Sequence, residues 1–309
     1  MARQTFPPDD AGPQDPSRRR GLLGALGGLG SLGAVVMAGC GGGGSESTTS
    51  SASGALALDT ATEESLRTIM AVSTPTCSVA ATETEGPYPL RAILANTAIV
   101  RADMTEGKTG VPLTLRIKLV DVNNSCAAIA NAWVYIWHCD KDGLYSGYDA
   151  TNNAGQADYT YLRGIQKSDS SGFVTFKTIY PGWYEGRITH IHCMVFLAGS
   201  TLSSTSSSMA TTQFAFPLTT TTAVYASSAY THGQNTSVTS FASDNVFSDG
   251  TSTEMLTVSG SVKAGYVAGI VIGVDQTVSN GSGSSGGGGG TAPPSPPGGG
   301  TPPASSPTN

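Results

Sequence analysis

Histidine is scarce in this 309-residue chain, four in all, yet two of them stand at His190-Ile191-His192. In an extended strand, residues i and i+2 project from one face, so these imidazoles can close on one metal ion. Taken alone, the pair reads equally well as two surface histidines with no ligand. Phenols nearby change its weight. Thr178-Ile179-Tyr180-Pro181-Gly182-Trp183-Tyr184-Glu185-Gly186-Arg187 runs from a strand through a turn carrying a tyrosine and an arginine, then reaches the histidines. Asp140-Lys141-Asp142-Gly143-Leu144-Tyr145 sets another tyrosine just past a turn. Two phenolates with two neutral imidazoles form a hard oxygen and nitrogen set that favours Fe(III) over Fe(II). Two histidines with a carboxylate would suit ferrous chemistry instead. No acidic residue fills an obvious third-ligand position, Glu185 and Asp149 being the nearest in sequence.

Elements of period two must position these side chains. Leu113, Leu115, Ile117 and Leu119 alternate with Thr114, Arg116 and Lys118, the pattern of a half-buried strand. Further strands are predicted over Ala132–His138, Gly172–Ile179, Thr189–Leu197, Thr253–Val262 and Tyr266–Val274, with Asp, Gly and Pro turns between them. One short helix fits 60–71, capped by Asp59 or Thr60. There Thr60 and Glu63 have capping-box spacing, and Leu66, Ile69 and Met70 share a face. The Ser/Thr/Ala-rich stretch 200–250 reads as a long excursion with some strand. The pattern predicts an all-β fold, a β-sandwich with long loops and one short N-terminal helix.

The ends of the chain read as something other than core. Arg18-Arg19-Arg20 precedes an uncharged, glycine-rich apolar run ending in Val36-Met37-Ala38-Gly39-Cys40, so residues 1–39 read as a twin-arginine export signal with a lipobox. The competing reading is a transmembrane helix over 21–39, long enough but holding seven glycines. Acylated Cys40 would then be the membrane contact of an exported, cell-surface or periplasmic lipoprotein. Residues 40–55 form a flexible tether, 56–278 the folded domain, and 279–309 an uncharged Gly/Ser/Pro tail expected to be disordered. Without the ends, roughly 220 residues remain, enough for one large β domain or two small ones. A net charge of −6 with no basic cluster beyond the N-terminus argues against nucleic acid as a partner. Cys77, Cys126, Cys139 and Cys193 suggest two disulfides in an oxidising compartment, with three pairings open. A thiolate metal site is the rival, without CxxC spacing to support it.

The motifs also carry a resemblance. Thr84-Glu85-Gly86-Pro87-Tyr88, Ala132-Trp133-Val134-Tyr135-Ile136-Trp137-His138, Gly143-Leu144-Tyr145-Ser146, Leu162-Arg163-Gly164, Thr178 through Tyr184, and Arg187-Ile188-Thr189-His190-Ile191-His192 follow in order. Thr212-Gln213-Phe214 comes after them. The series, over roughly 77–275, resembles the intradiol ring-cleavage dioxygenases. That resemblance implies a non-haem Fe(III) held by Tyr145, Tyr184, His190 and His192. One tyrosinate would leave the metal and help take up a substrate proton. Arg187, Tyr145 and Gln213 become the catalytic candidates, Arg187 stabilising charge on the ring carbon that meets O2. A small aromatic diol and O2 would be the substrates, and a muconate-type dicarboxylate the product. Tyr148 is the alternative to Tyr145. His138 reads as structural, and Trp133, Tyr135 and Trp137 as packing residues of one strand face.

Two departures bear on substrate. Tyr184 and His190 are only six residues apart, where cytoplasmic members place a longer loop. The chain also lacks a long helical N-terminal region, so it is more similar to the extracytoplasmic branch of the family. The alternative function is a catalytically silent exported β-sandwich, either a binding module or a surface-structural protein that keeps the motif as architecture.

Overall fold

The computed structural model describes residues 56–73, 77–86, 88–89, 99–200, 202 and 207–277. The predicted signal peptide, Cys40, the tether and the tail lie outside the described residues. Strand β1 (Pro112–Asp121) carries the alternation read from sequence: Leu113, Leu115, Ile117 and Leu119 are buried while Thr114, Arg116 and Lys118 stay partly exposed. It pairs antiparallel with the two-residue β2 (Ala127–Ala128) near its end. A second strand series begins with β3 (Trp133–Trp137) and β4 (Arg163–Lys167). β5 (Phe173–Ile179) returns to pair antiparallel with β1.

Strands β6 (His190–Phe196) and β7 (Ala210–Ala215) complete the second sheet, in the order β4-β3-β6-β7. β8 (Thr257–Ser261) and β9 (Gly265–Val274) complete the first, β9 running parallel to β1 and β8 lying beyond it. The all-β sandwich expected from the pattern is therefore the observed architecture, its main core lying between the sheets. Leu115, Ile117 and Ile270 meet Val134, Ile136, Ile191, Cys193 and Val195 there.

β6 is buried on both faces. Ile191, Cys193 and Val195 point into the main core. Met194 and Phe196 join a second apolar cluster with Tyr135, Trp137, Cys139, Tyr145 and Ile165. By the same alternation His190 and His192 share the face of that second cluster, as their spacing predicts.

Helix α1 (Thr60–Val72) begins where expected. Asp59 is its cap, accepting from Thr62 N at 2.8 Å. The Thr60–Glu63 box does not form, because the Glu63 carboxylate instead takes a two-point hydrogen bond from Arg116, both contacts 2.7 Å. Leu66 and Ile69 are buried, and Met70 is half-buried against β9 at Gly269. A second helix, α2 (Leu218–Tyr225), corrects the reading of 200–250. Its four threonines are β-branched and argue against helix, yet Thr221, Val224 and Tyr225 are buried and packing prevails. β4 also escaped the pattern, and β7 is the strand expected in 200–250, whose bounds the pattern did not give. β7 is buried on both faces, so Ala-Thr-Thr-Gln-Phe-Ala shows no apolar alternation. The strand expected from Thr253 starts only at Thr257, since Glu254 N and Met255 N both turn back to Thr251 O.

One disulfide forms where two were expected, Cys77–Cys126, with Cα atoms 5.7 Å apart. Cys139 and Cys193 are free and buried. They cannot meet because Cys193 faces the core between the sheets while Cys139 belongs to the cluster on the other side of β6. Among the described residues no helix is long and apolar enough to cross a membrane.

Candidate metal centre

Two turns and one strand meet at the outer face of the second sheet. The Asp140–Gly143 turn is tied by the Asp140 carboxylate, which accepts from Asp142 N at 3.0 Å and Leu144 N at 2.9 Å. Asp140 O also accepts from Gly182 N at 3.0 Å, so this turn rests on the Pro181-Gly182-Trp183 turn. Gly143 sits at φ +86°, and a Cβ there would stand 2.4 Å from Trp183 O. Only glycine allows that approach. Tyr145 and Tyr184 emerge from these two turns with their rings 5.7 Å apart, edge to face.

Four donor atoms converge. His190 Nε2 and His192 Nε2 are 3.1 Å apart. Tyr145 Oη lies 3.2 Å from His192 Nε2 and 3.4 Å from His190 Nε2. Tyr184 Oη lies 3.3 Å from His190 Nε2. Donors sharing one cation at bond lengths of ~2.0–2.2 Å stand roughly 2.8–3.6 Å from one another. His190 Nδ1 donates to Ile188 O at 2.6 Å, which leaves the Nε2 lone pair aimed at the cluster. The set fits a small hard cation, and two phenols with two imidazoles suit the ferric ion expected from sequence. Among the described residues no group of three or more His, Cys, Asp or Glu side chains could hold a metal, so a cation bound here would need the phenols.

The surroundings are dry. Burial, with Arg187 second, brings His190 down to about 3, and burial with the neighbouring His190 holds His192 well below its ordinary range. Both imidazoles are therefore neutral. Burial raises Tyr184 to about 12 and holds Tyr145 well above its ordinary range. Without a cation the phenols stay protonated, and a bound cation reverses that preference.

Of the residues singled out in sequence, the structure brings together Tyr145, Tyr184, His190, His192, Arg187 and Gln213. Arg187 is buried, its Nη2 donating to Gln213 Oε1 at 2.7 Å. Gln213 pairs across the sheet with His192 and donates to Thr84 O at 2.9 Å. Tyr148 is turned away, its hydroxyl donating to Pro89 O at 2.5 Å. Glu185 and Asp149 are exposed, and Asp149 is engaged with Gly155 N. His138 is held by Cys139 O and Thr178 Oγ1, a structural role as read. Trp137 is more than packing, since its ring stacks on His192.

Three contributors went unread. Fully buried Arg163 donates to Ser146 O, Tyr88 O and Tyr135 Oη, tying the turn after Tyr145 to the segment that holds Gly86. Asn153 accepts from Tyr145 N at 2.7 Å and donates to Tyr145 O at 2.8 Å. Asp244 accepts from Arg187 Nε at 3.0 Å. Arg163 stood in the Leu162-Arg163-Gly164 motif without a role, and Asp244 is one of two carboxylates between residues 200 and 250, in a stretch of small polar residues.

A family model described as Dioxygenase matches residues 84–214. An intradiol ring-cleavage dioxygenase from Tetranychus urticae is similar at 25% identity and TM-score 0.57, over 66% of this chain and 98% of its own. A second solved dioxygenase, Tetur07g02040, is similar at 26% identity and TM-score 0.56, again over 66% of this chain and 98% of its own. The dioxygenase domain of a dioxygenase and carbohydrate-binding protein fusion from Streptomyces sp. SirexAA-E is similar at 22% identity and TM-score 0.44, over 64% of this chain and 99% of its own. No curated protein matches the chain. The matched stretch opens at the Thr84 whose carbonyl receives Gln213, closes just past Gln213, and contains the whole four-donor cluster. With the sandwich and this match together, the chain is similar to the intradiol ring-cleavage dioxygenases over the stretch that holds the cluster.

Proposed function

We propose that this chain is a non-haem ferric dioxygenase that opens a catechol-type ring between its two hydroxylated carbons, adding both atoms of O2 to give a muconate-type dicarboxylate. The convergence of Tyr145, Tyr184, His190 and His192 within 3.1–3.4 Å carries this reading. Ferric iron held by those residues would supply the Lewis acidity that gathers the two oxygens of an aromatic diol and leaves the ring electron-rich towards O2.

The chain's own groups have separable tasks in that reading. His190 and His192 offer neutral nitrogens at any pH near 7. Tyr145 is sealed at 1% exposure, whereas Tyr184 is half-buried, so Tyr184 rather than Tyr145, as a tyrosinate once a cation has displaced its proton, would be the group suited to take a proton from a substrate hydroxyl. Arg187 is a fixed cation beside the cluster and stabilises negative charge as it builds on the ring. Gln213 steadies the guanidinium through the 2.7 Å contact. Export and acylation at Cys40 belong to the same proposal. The mass of the N-terminal peptide tests them, and an intact unmodified Met1 on membrane-purified protein would remove them.

Oxygen uptake against a panel of catechols, with iron measured on the same sample, tests the function. A reddish protein that consumes O2 with catechol or hydroxyquinol is expected. A folded protein that stays colourless after ferric reconstitution would overturn the proposal. Colour without O2 consumption, or without a spectral change on adding a diol, would instead favour the binding module.

A further inference from the structure

The connection between Tyr184 and β6 takes its shape from a distant part of the chain. Trp183 stacks on His232 with ring centroids 4.1 Å apart and donates Nε1–H to Gly233 O at 2.9 Å. Asn235 Nδ2 donates to Arg187 O at 2.8 Å, and Gly186 N donates to Ser237 Oγ at 3.1 Å. The deepest contact is Asp244, 0% exposed. Its carboxylate accepts from Arg187 Nε at 3.0 Å, Ile188 N at 2.7 Å, Val246 N at 2.9 Å and Phe247 N at 3.1 Å.

A buried guanidinium beside a cluster suited to hold a cation needs a counter-charge to stay there. Removing the carboxylate it is hydrogen-bonded to leaves a poorly compensated ion, a costly state that a flexible side chain escapes by moving out. With Nε on Asp244 and Nη2 on Gln213, two directions of the planar group are fixed. The carboxylate also grips the Ile188 amide, two residues before His190, so it sets the guanidinium and the entry of β6 together.

We propose that Asp244 is the positioning residue of this site, holding Arg187 at the metal-binding cluster for the ring-opening step. The proposal rests on the function above, but it has a test that does not require turnover. In the full-length, iron-loaded protein, phenylglyoxal labelling of Arg187 is followed by peptide mass, with exposed Arg67 as the internal standard. Asp244→Asn is expected to label Arg187 roughly 10-fold faster than the parent, Arg67 unchanged. It should also lower kcat for O2 uptake roughly 10- to 100-fold, with iron content and KM for the diol little altered. Asp244→Glu keeps the charge and should restore protection of Arg187 and part of kcat. It also serves if the Asn variant does not fold.

Unchanged labelling with unchanged kcat would overturn the proposal. So would kcat falling only in step with iron content and melting temperature, which is a structural role. If the parent consumes no O2 with any diol, the proposed function fails on its own. Faster labelling in Asp244→Asn would then still support Asp244 as the holder of Arg187, and equal labelling would still refute it.

Discussion

Trp137 lies flat against His192, with ring centroids 4.7 Å apart and planes within 6° of parallel. The two residues are directly paired across β3 and β6, so sheet register itself brings the indole onto the imidazole. Gly86 approaches the same ring from the 77–86 segment: a Cβ there would stand 2.6 Å from His192 Cε1 and 3.2 Å from Nε2. One histidine of the cluster is thus confined by a stacked indole and a bare backbone, while the other is aimed by its bond to Ile188 O.

That confinement makes Gly86→Ala a sharp test. The new methyl meets the His192 ring, and Gly86 sits at φ +71°, where alanine is strained. The change faces the outer side of the second sheet rather than the core between the sheets, so circular dichroism should stay native. Iron content and the visible band should fall several-fold. Full iron occupancy in a folded Gly86→Ala protein would show that His192 does not bind the metal.

The tyrosines are separable by spectrum. Tyr184→Phe should remove much of the visible band and slow turnover about 10²- to 10⁴-fold, the scale for losing a proton-transfer group. Tyr145→Phe removes a hydroxyl that lies 3.2 and 3.4 Å from the two imidazoles, and it too should shift the band. Tyr148→Phe removes the hydroxyl that donates to Pro89 O rather than one at the cluster and should leave the band as it is. A Tyr184→Phe spectrum identical to that of the parent would mean that this phenol is not a ligand.

Much of this arrangement could be read along the chain, and the parts that could not share a cause. The same-face histidines follow from strand geometry alone, and both tyrosines follow a turn that glycine marks. β1 was legible because one of its faces is buried and the other is not. The bounds of β7 were illegible because both its faces are buried and its residues are largely small and polar. Asp244 was missed for a deeper reason. Its partner lies 57 positions away, and no local periodicity reports which loop carboxylate will reach a buried arginine. The disulfide count failed in the same way, since parity of cysteines is silent about which side of β6 each occupies.

The cysteines give a covalent check on topology. Closing a loop with a sequence separation of 49 by Cys77–Cys126 contributes roughly 4 kcal/mol in the chain-entropy picture. Cys126→Ala should therefore lower the denaturant midpoint clearly, by an amount that reduction of the parent reproduces. In peptide mapping of the native protein, Cys139 and Cys193 should resist alkylation. Burial leaves them 2% and 0% exposed and pushes both thiols up. They should label in denaturant without reductant, whereas Cys77 and Cys126 should need both. A Cys139–Cys193 crosslinked peptide would contradict the placement of these residues on opposite faces of β6.

The last prediction concerns two carboxyls behind Arg187. Glu254 is 1% exposed, and its Oε1 has no hydrogen-bond partner. Burial, then the neighbouring charges of Glu83, Asp249 and Asp244, raise it from an ordinary 4.5 to about 8, with Arg187 pulling the other way. Burial and Asp249 likewise raise Glu83 to about 7. A carboxyl whose folded value lies above its unfolded one keeps a proton that the unfolded chain has released. Stability is then greatest below the unfolded value and declines as pH rises towards the folded one. For Glu254 that window runs from about 4.5 to about 8. Glu254→Gln, which mimics the protonated acid, should melt at the parent's temperature near pH 4. It should melt progressively higher than the parent up to about pH 8, and hold that gap beyond it. Thermal melts across pH 4–9 decide the matter, and a gap independent of pH would mean that Glu254 is already ionised in the folded protein.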